Sequence, residues 1–198
     1  MLEFFAVVTH LGATPLLAPF SLLIALWLLL RVGWRESLLW CCSVMGVGLL
    51  VAALKIWFSA CDTHLGDIRS PSGHTAFAAI AYGGFTVIAM ARSLSLRAIL
   101  FRIVILAGIV LIGVSRVAVH AHTWGEVWSG LAIGLLGVTT FAIGYRADVR
   151  PPYRLAGGLL IAVGIAALLM PKTVFVLEPY LMQIAQWLQP NAALLCFG

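Results

Sequence analysis

Residues 98–119 read AILFRIVILAGIVLIGVSRVAV. From Ala98 to Ser115 the only charge is Arg102, and the segment matches the roughly 20 residues that cross a bilayer as a helix. Its far end changes character: Ser115 and Arg116 are followed within a short stretch by His120, His122 and Glu126. An apolar helix ending in titratable groups predicts a membrane protein whose chemistry is built at helix ends.

The same pattern recurs on both sides. Apolar segments at about 15–31, 37–58, 73–91, 126–145 and 155–177 are separated by charged or Pro/Gly breaks. Of the 198 residues 63% are hydrophobic and 10% charged, with a mean hydropathy of +1.09, a balance that excludes a water-soluble fold. The sequence therefore predicts one all-α domain, residues 1–198, built as a membrane bundle of about six transmembrane helices. Residues 1–12 are short and amphipathic, and the tail from Glu178 to Gly198 places Gln183, Gln186, Gln189 and Pro190 among Leu181, Ile184, Trp187 and Leu188. Both flanks read as interfacial helices. The first ten residues lack a basic stretch and contain Glu3, so the first apolar segment is expected to stay in the mature protein. Small residues within the segments, such as Gly83, Gly84, Gly108, Gly113, Gly130, Gly134 and Gly137, are expected to let helices approach closely.

The formal charge of +5 comes from twelve basic residues scattered between apolar runs. They form no stripe, so nucleic acid is not an expected partner. Threading the segments alternately gathers Arg31, Arg35, Arg92, Arg97, Arg102, Arg146, Arg150 and Arg154 on one side, which the positive-inside rule makes the cytoplasm. Lys55, Arg69, Arg116 and Lys172 fall on the other side, with His10, His64, His74, His120, His122, Glu3, Asp62, Asp67, Glu126 and Glu178. The expected location is the inner (cytoplasmic) membrane, multi-pass, with the active face toward the periplasm or exterior. Cys41 and Cys42 fall inside a segment and read as apolar residues, whereas Cys61 and Cys196 share the outer side, where a disulfide is chemically allowed.

Three outer clusters suggest an anion site: Lys55; Pro71-Ser72-Gly73-His74; and Ser115-Arg116 with His122 and Glu126. Ser72 and Gly73 precede a helix whose first amides lack internal partners, an arrangement suited to phosphate. Lys55 and Arg116 add positive charge, and arginine grips phosphate oxygens as a fork. On any helical continuation Ser115 and His122 share a face, with Glu126 one turn on to fix the ring tautomer. One imidazole is then available as a nucleophile, and His74 can give and take a proton. His120 reads as structural. His64 and Asp67 read as solvated loop residues without metal-ligand spacing, so no metal or cofactor is expected. Trp57, Trp124, Trp128 and Trp187 read as interfacial anchors. Asp62 and Asp67 either repel a second phosphate or pair with Arg69 and Lys55, and the residues do not choose between these roles.

These motifs resemble the type 2 phosphatidic acid phosphatase (PAP2) family, whose pattern is K-x6-R-P, then P-S-G-H, then S-R-x5-H-x3-D. The resemblance covers residues 55–126 in motif. It implies a metal-independent phosphohistidine mechanism, with His122 attacking phosphorus, His74 protonating the leaving oxygen, and Lys55, Ser72, Gly73, Ser115 and Arg116 at the phosphate-binding positions. Three departures stand out. Asp62-Thr63 replace the expected Arg-Pro, the loop from Lys55 to Pro71 is short, and Glu126 stands where Asp is usual. Arg69, two residues before Pro71, is a cation that could reach the same anion from the other side of the loop, and the sequence does not fix whether it replaces the missing arginine. The implied substrate is a membrane lipid phosphate: a polyprenyl (di)phosphate, phosphatidate, phosphatidylglycerol phosphate or a phosphorylated saccharolipid. A lipid phosphotransferase and a catalytically weak lipid-phosphate binder or transporter are the alternatives, and the sequence does not fix the oligomeric state.

Overall fold

The computed structural model describes residues 2–62, 65–90, 95–146, 153–169, 178–189 and Cys196. Thr63, His64, Arg92, Arg150, Lys172 and Pro190 lie outside the described residues. Eight helices follow one another: α1 (Leu2–His10), α2 (Thr14–Arg31), α3 (Trp34–Ala60), α4 (Gly73–Ala89), α5 (Leu96–Ala118), α6 (Trp124–Gly144), α7 (Tyr153–Leu169) and α8 (Glu178–Leu188). The six apolar segments of the sequence correspond to α2 through α7. The protein is an all-α membrane bundle, with no strand among the described residues. By length and composition, Glu3–Arg31, Trp34–Ala60, Leu96–Ala118 and Trp124–Gly144 are able to cross a bilayer. α4, with 17 residues, sits at the short end of the roughly 17–25 that span one.

Local chemistry sets the helix ends. Pro15 opens α2, where the missing amide costs no hydrogen bond. Ser95 caps α5 by accepting the Ala98 amide at 3.3 Å. The Arg102 guanidinium reaches across to the carbonyl of Met90 at 2.9 Å, a cation on the negative end of α4.

α4 is the axis of the bundle. Ala76, Ala78, Ala79, Ile80, Ala81 and Ile88 are all fully or almost fully buried, and the helix packs against α2, α3, α5 and α6. Hydrocarbon on the outside removes the usual hydrophobic drive between helices, so close contact and dispersion must hold α4 in place. Alanines on α4 and glycines on α6 make that contact possible. A Cβ on Gly130 would collide with the backbone of Ser72, one on Gly134 would lie 2.6 Å from the Ala76 carbonyl oxygen, and one on Gly137 would strike Val47. Lower down, Gly84 leaves room for the Trp40 ring, whose Nε1 donates to the Ser21 carbonyl at 2.9 Å. Gly108 differs from the expectation of close packing: nothing approaches its Cβ position.

The flanking helices are attached to the bundle. α1 packs against α5 and α7, and α8 packs against α3. Cys61, at the end of α3, is disulfide-bonded to Cys196 with the Cα atoms 5.6 Å apart. Ser59 Oγ also contacts the Met182 sulfur at 3.4 Å. The disulfide thus ties Cys196 to the end of the helix that carries Lys55.

Gly134→Ala should destabilise the protein in detergent by about 1–3 kcal/mol, because neither the Ala76 carbonyl nor Ala79 can move without shifting α4. Gly108→Ala should leave the melting temperature unchanged or raise it, since the new methyl meets nothing and adds helix propensity. Thermal unfolding followed by circular dichroism compares the two.

Candidate active site

The C-terminal ends of α3 and α5 and the N-terminal ends of α4 and α6 converge on one small region, organised by the carboxylate of Glu126. Residues Thr123 to Glu126 form a capping box: Thr123 Oγ1 accepts the Glu126 amide at 3.3 Å, and Glu126 Oε2 accepts the Thr123 amide at 3.1 Å. The same Oε2 takes the Nδ1 hydrogen of His122 at 2.9 Å. The other oxygen, Oε1, accepts the backbone amides of Arg69 at 3.1 Å and Ser70 at 3.0 Å. Glu126 contributes its backbone as well, since its carbonyl accepts the Ser72 amide at 2.8 Å. One residue therefore orients the histidine, starts α6 and fastens the loop that leads into α4.

That loop is short and tightly bound. Leu65 and Ile68 exchange backbone hydrogen bonds of 3.0 Å around Gly66, whose φ of +62° favours glycine. Asp67 is an exposed loop residue, as the sequence suggests, and it also acts as a cap. Its carbonyl accepts from Thr123 Oγ1 at 2.9 Å, and its Oδ2 accepts the Gly125 amide at 3.2 Å at the start of α6. Arg69 is exposed, and the loop holds it by its amide.

His122 is not on a continuation of α5, contrary to the expectation from spacing. α5 stops at Ala118, and the chain reverses through His120, whose φ is +56°. The His120 amide bonds to the Val117 carbonyl at 2.9 Å and the Ala121 amide to the Arg116 carbonyl at 3.0 Å, the double closure of a Schellman motif. His120 occupies the left-handed position usually given to glycine, a backbone role that agrees with the structural reading of this residue. The reversal delivers His122 beside Glu126, and its amide also returns to the Arg116 carbonyl at 3.2 Å. Arg116 and His122 are thereby locked to one turn.

The remaining groups gather around these two. Lys55 is buried near the C-terminal end of α3, and its charge and that of Arg116 both act on the His122 ring. His74, the second residue of α4, lies within electrostatic reach of Arg116, His122, Lys55 and His10. Both imidazoles and both cations therefore share one site. Two serines differ from expectation. The Ser115 hydroxyl is wholly buried and donates to the Ile112 carbonyl at 2.6 Å within its own helix. The Ser72 amide is already taken by Glu126, while its buried hydroxyl accepts from Thr75 Oγ1 at 3.1 Å. The helix amides that face the opening begin at Gly73 rather than Ser72. Among the described residues no three His, Cys, Asp or Glu side chains gather in a metal-ligand arrangement.

Burial pushes the His122 imidazole below its ordinary value of 6.5; the hydrogen bond and charge of Glu126 pull it upward, and the charges of Arg116 and Lys55 push it down. The net direction is downward. The ring is neutral at pH 7, with Nδ1–H given to Glu126 and the Nε2 lone pair free to attack.

Sequence reading missed Thr123, Asp67, Thr75 and Thr9, the last of which accepts from Arg116 Nη1 at 3.0 Å. The Thr123-x-x-Glu126 spacing was a visible capping signature. Thr9 had no signal, because 107 positions separate it from its partner.

Glu126→Gln should lower activity by about 100-fold or more, as expected when the orienting partner of a catalytic imidazole loses its charge. Removing the charge of Glu126, one of the upward influences on His122, should also move the acid limb of the kcat/KM profile, already below pH 6.5, further down. A pH–rate series on both proteins measures this. His120→Gly should keep full activity and raise the melting temperature, relieving a left-handed strain of about 1 kcal/mol.

Comparison with known proteins places this geometry. The PAP2 superfamily model matches residues 57–150, a segment that holds His74, Arg116, His122 and Glu126 and begins just after Lys55. An uncharacterized 22.5 kDa protein in the cps region of Klebsiella pneumoniae is 29% identical over 147 residues, covering 69% of this chain and 66% of that protein's length. No solved structure matches the chain. The family match supports phosphatase-type activity on phosphate esters, and the paired histidines and cations fall inside or beside the matched segment. Over residues 57–150 the chain is thus similar to the PAP2 superfamily.

Proposed function

We propose that this protein hydrolyses the phosphate ester of a membrane lipid at the outer face of the inner membrane, through a phosphohistidine on His122. The observation that carries the reading is the 2.9 Å contact between His122 Nδ1 and Glu126 Oε2, which leaves Nε2 as a free nucleophile within range of Lys55, Arg116 and His74.

The chemistry runs in two steps. Nε2 of His122 attacks phosphorus while the bond to the ester oxygen breaks, and His74 gives that oxygen a proton, so an alcohol departs. His74, now neutral, takes a proton from water; the hydroxide attacks phosphorus, the P–N bond breaks, and phosphate leaves. Lys55, Arg116 and the amide of Gly73 hold the equatorial oxygens, where charge grows in the transition state. Ser72 and Ser115 support this cradle from behind. Arg69, exposed on the loop, stands at the entrance and meets the second phosphate or the head group.

The position of the site on the helix ends supports a lipid substrate. It is built on the ends of helices whose flanks expose Leu22, Leu26, Leu49, Val104 and Leu136, and Trp124 and Trp128 stand exposed beside His122. A phosphate head group reaches the site from the leaflet while its chains stay in hydrocarbon. The Cys61–Cys196 disulfide, at the same end of the bundle, supports a face turned toward an oxidising compartment.

Purified protein in detergent should release inorganic phosphate from at least one of polyprenyl phosphate or diphosphate, phosphatidate and phosphatidylglycerol phosphate, equally with and without EDTA. His122→Ala should abolish release. Transfer of the phosphate to an alcohol acceptor instead of water would make the protein a phosphotransferase, and release that disappears with EDTA would contradict the mechanism.

A further inference from the structure

The turn that joins α1 to α2 makes four contacts with the catalytic helices. Thr9 Oγ1 accepts from Arg116 Nη1 at 3.0 Å. The Leu11 carbonyl accepts from the Tyr82 hydroxyl at 2.8 Å. Gly12 lies so close that a Cβ there would stand 3.1 Å from the His74 carbonyl oxygen and 2.7 Å from Ile112 Cγ2. Two of these contacts reach α4, which carries the proposed acid, and two reach α5, which carries the phosphate-binding arginine.

We propose that residues Thr9 to Gly12 are a wall of the active site and that Thr9 is a positioning residue for Arg116, an inference that rests on the phosphatase reading above. An arginine side chain has many rotamers, and its fork is useful only when held in one orientation. Thr9 fixes one arm of the guanidinium by accepting from Nη1 at 3.0 Å. It does so with a neutral hydroxyl. A carboxylate in its place would hold the guanidinium equally well but would cancel the charge on which anion binding depends. The contact of Gly12 with the start of α4 fixes the same turn to the backbone of His74, so the N-terminal turn sets the spacing between the proton donor and the phosphate grip.

Thr9→Val keeps the shape and removes the acceptor, whereas Thr9→Ser keeps the acceptor. The test measures kcat and KM on the lipid phosphate that wild type hydrolyses best. It also measures binding of orthovanadate, a five-coordinate phosphate mimic, by calorimetry on the same full-length proteins, with melting temperatures recorded. Thr9→Val should lower kcat about 10-fold, the effect of one lost hydrogen bond plus misplacement of the fork. It should weaken vanadate by a similar factor, with its melting temperature close to that of wild type, and Thr9→Ser should restore both. Equal kcat and vanadate affinity in wild type and Thr9→Val would overturn the proposal, as would a Thr9→Ser defect as large as that of Thr9→Val. Wild type that binds vanadate without hydrolysing any lipid phosphate would sink the phosphatase reading alone, since the vanadate comparison still decides the role of Thr9. Wild type that neither hydrolyses nor binds would sink both.

Discussion

Four N–H groups converge on one carboxylate: the amides of Arg69, Ser70 and Thr123 and the ring of His122 all donate to Glu126. A buried carboxylate is costly unless its lone pairs are filled, and here each oxygen has two donors. The consequence is structural and chemical at once. The loop into α4, the start of α6 and the orientation of the histidine cannot be adjusted separately, because each ends on the same pair of oxygens. Glutamate in place of the family's usual aspartate fits this arrangement. At the third position of a capping box its longer arm turns back to the Thr123 amide and still meets His122.

The membrane imposes the second constraint. In hydrocarbon, helices are held by close contact, and the deepest contact in this molecule lies between α4 and α6. Gly130 lets the backbone of Ser72 rest directly on α6, one turn below Glu126. The packing seam of the bundle therefore continues into the catalytic loop. The capping box aligns the loop from above, and the glycine seam aligns it from below. Asp67 on the Gly125 amide and Gly66 at the turn add further fixed points to the segment from Leu65 to Ser72.

Much of the fold was legible because apolar runs and their charged breaks are local signals that the bilayer enforces. The candidate residues were legible as short motifs, since imidazole, guanidinium and free amides are what a phosphate site needs, and the structure places His122 against Glu126 and within electrostatic reach of Lys55, Arg116 and His74. Its geometry was less so. Spacing alone suggested that His122 would continue α5, and only the left-handed backbone at His120 reveals the reversal that brings His122 to Glu126. Ser72 and Ser115 looked like open ligands, yet the Ser72 amide and the Ser115 hydroxyl are given to internal carbonyls. The Cys61–Cys196 bond and the Thr9–Arg116 contact join distant positions, and no local pattern carries that information. The first motif is altered in physical terms too: Asp62, at the position where the pattern has arginine, has a φ of +46° just beyond α3, a left-handed conformation that aspartate adopts more readily than most residues.

The central claim is that Glu126 prepares His122 as the nucleophile, and trapping the covalent intermediate tests it most directly. Protein mixed with a radiolabelled lipid phosphate and quenched in alkali, where phosphohistidine survives, should carry label on a single peptide, at His122, with much less label in Glu126→Gln. Label on His74 or His120, or turnover with no trapped phosphoenzyme at any quench time, would contradict the account.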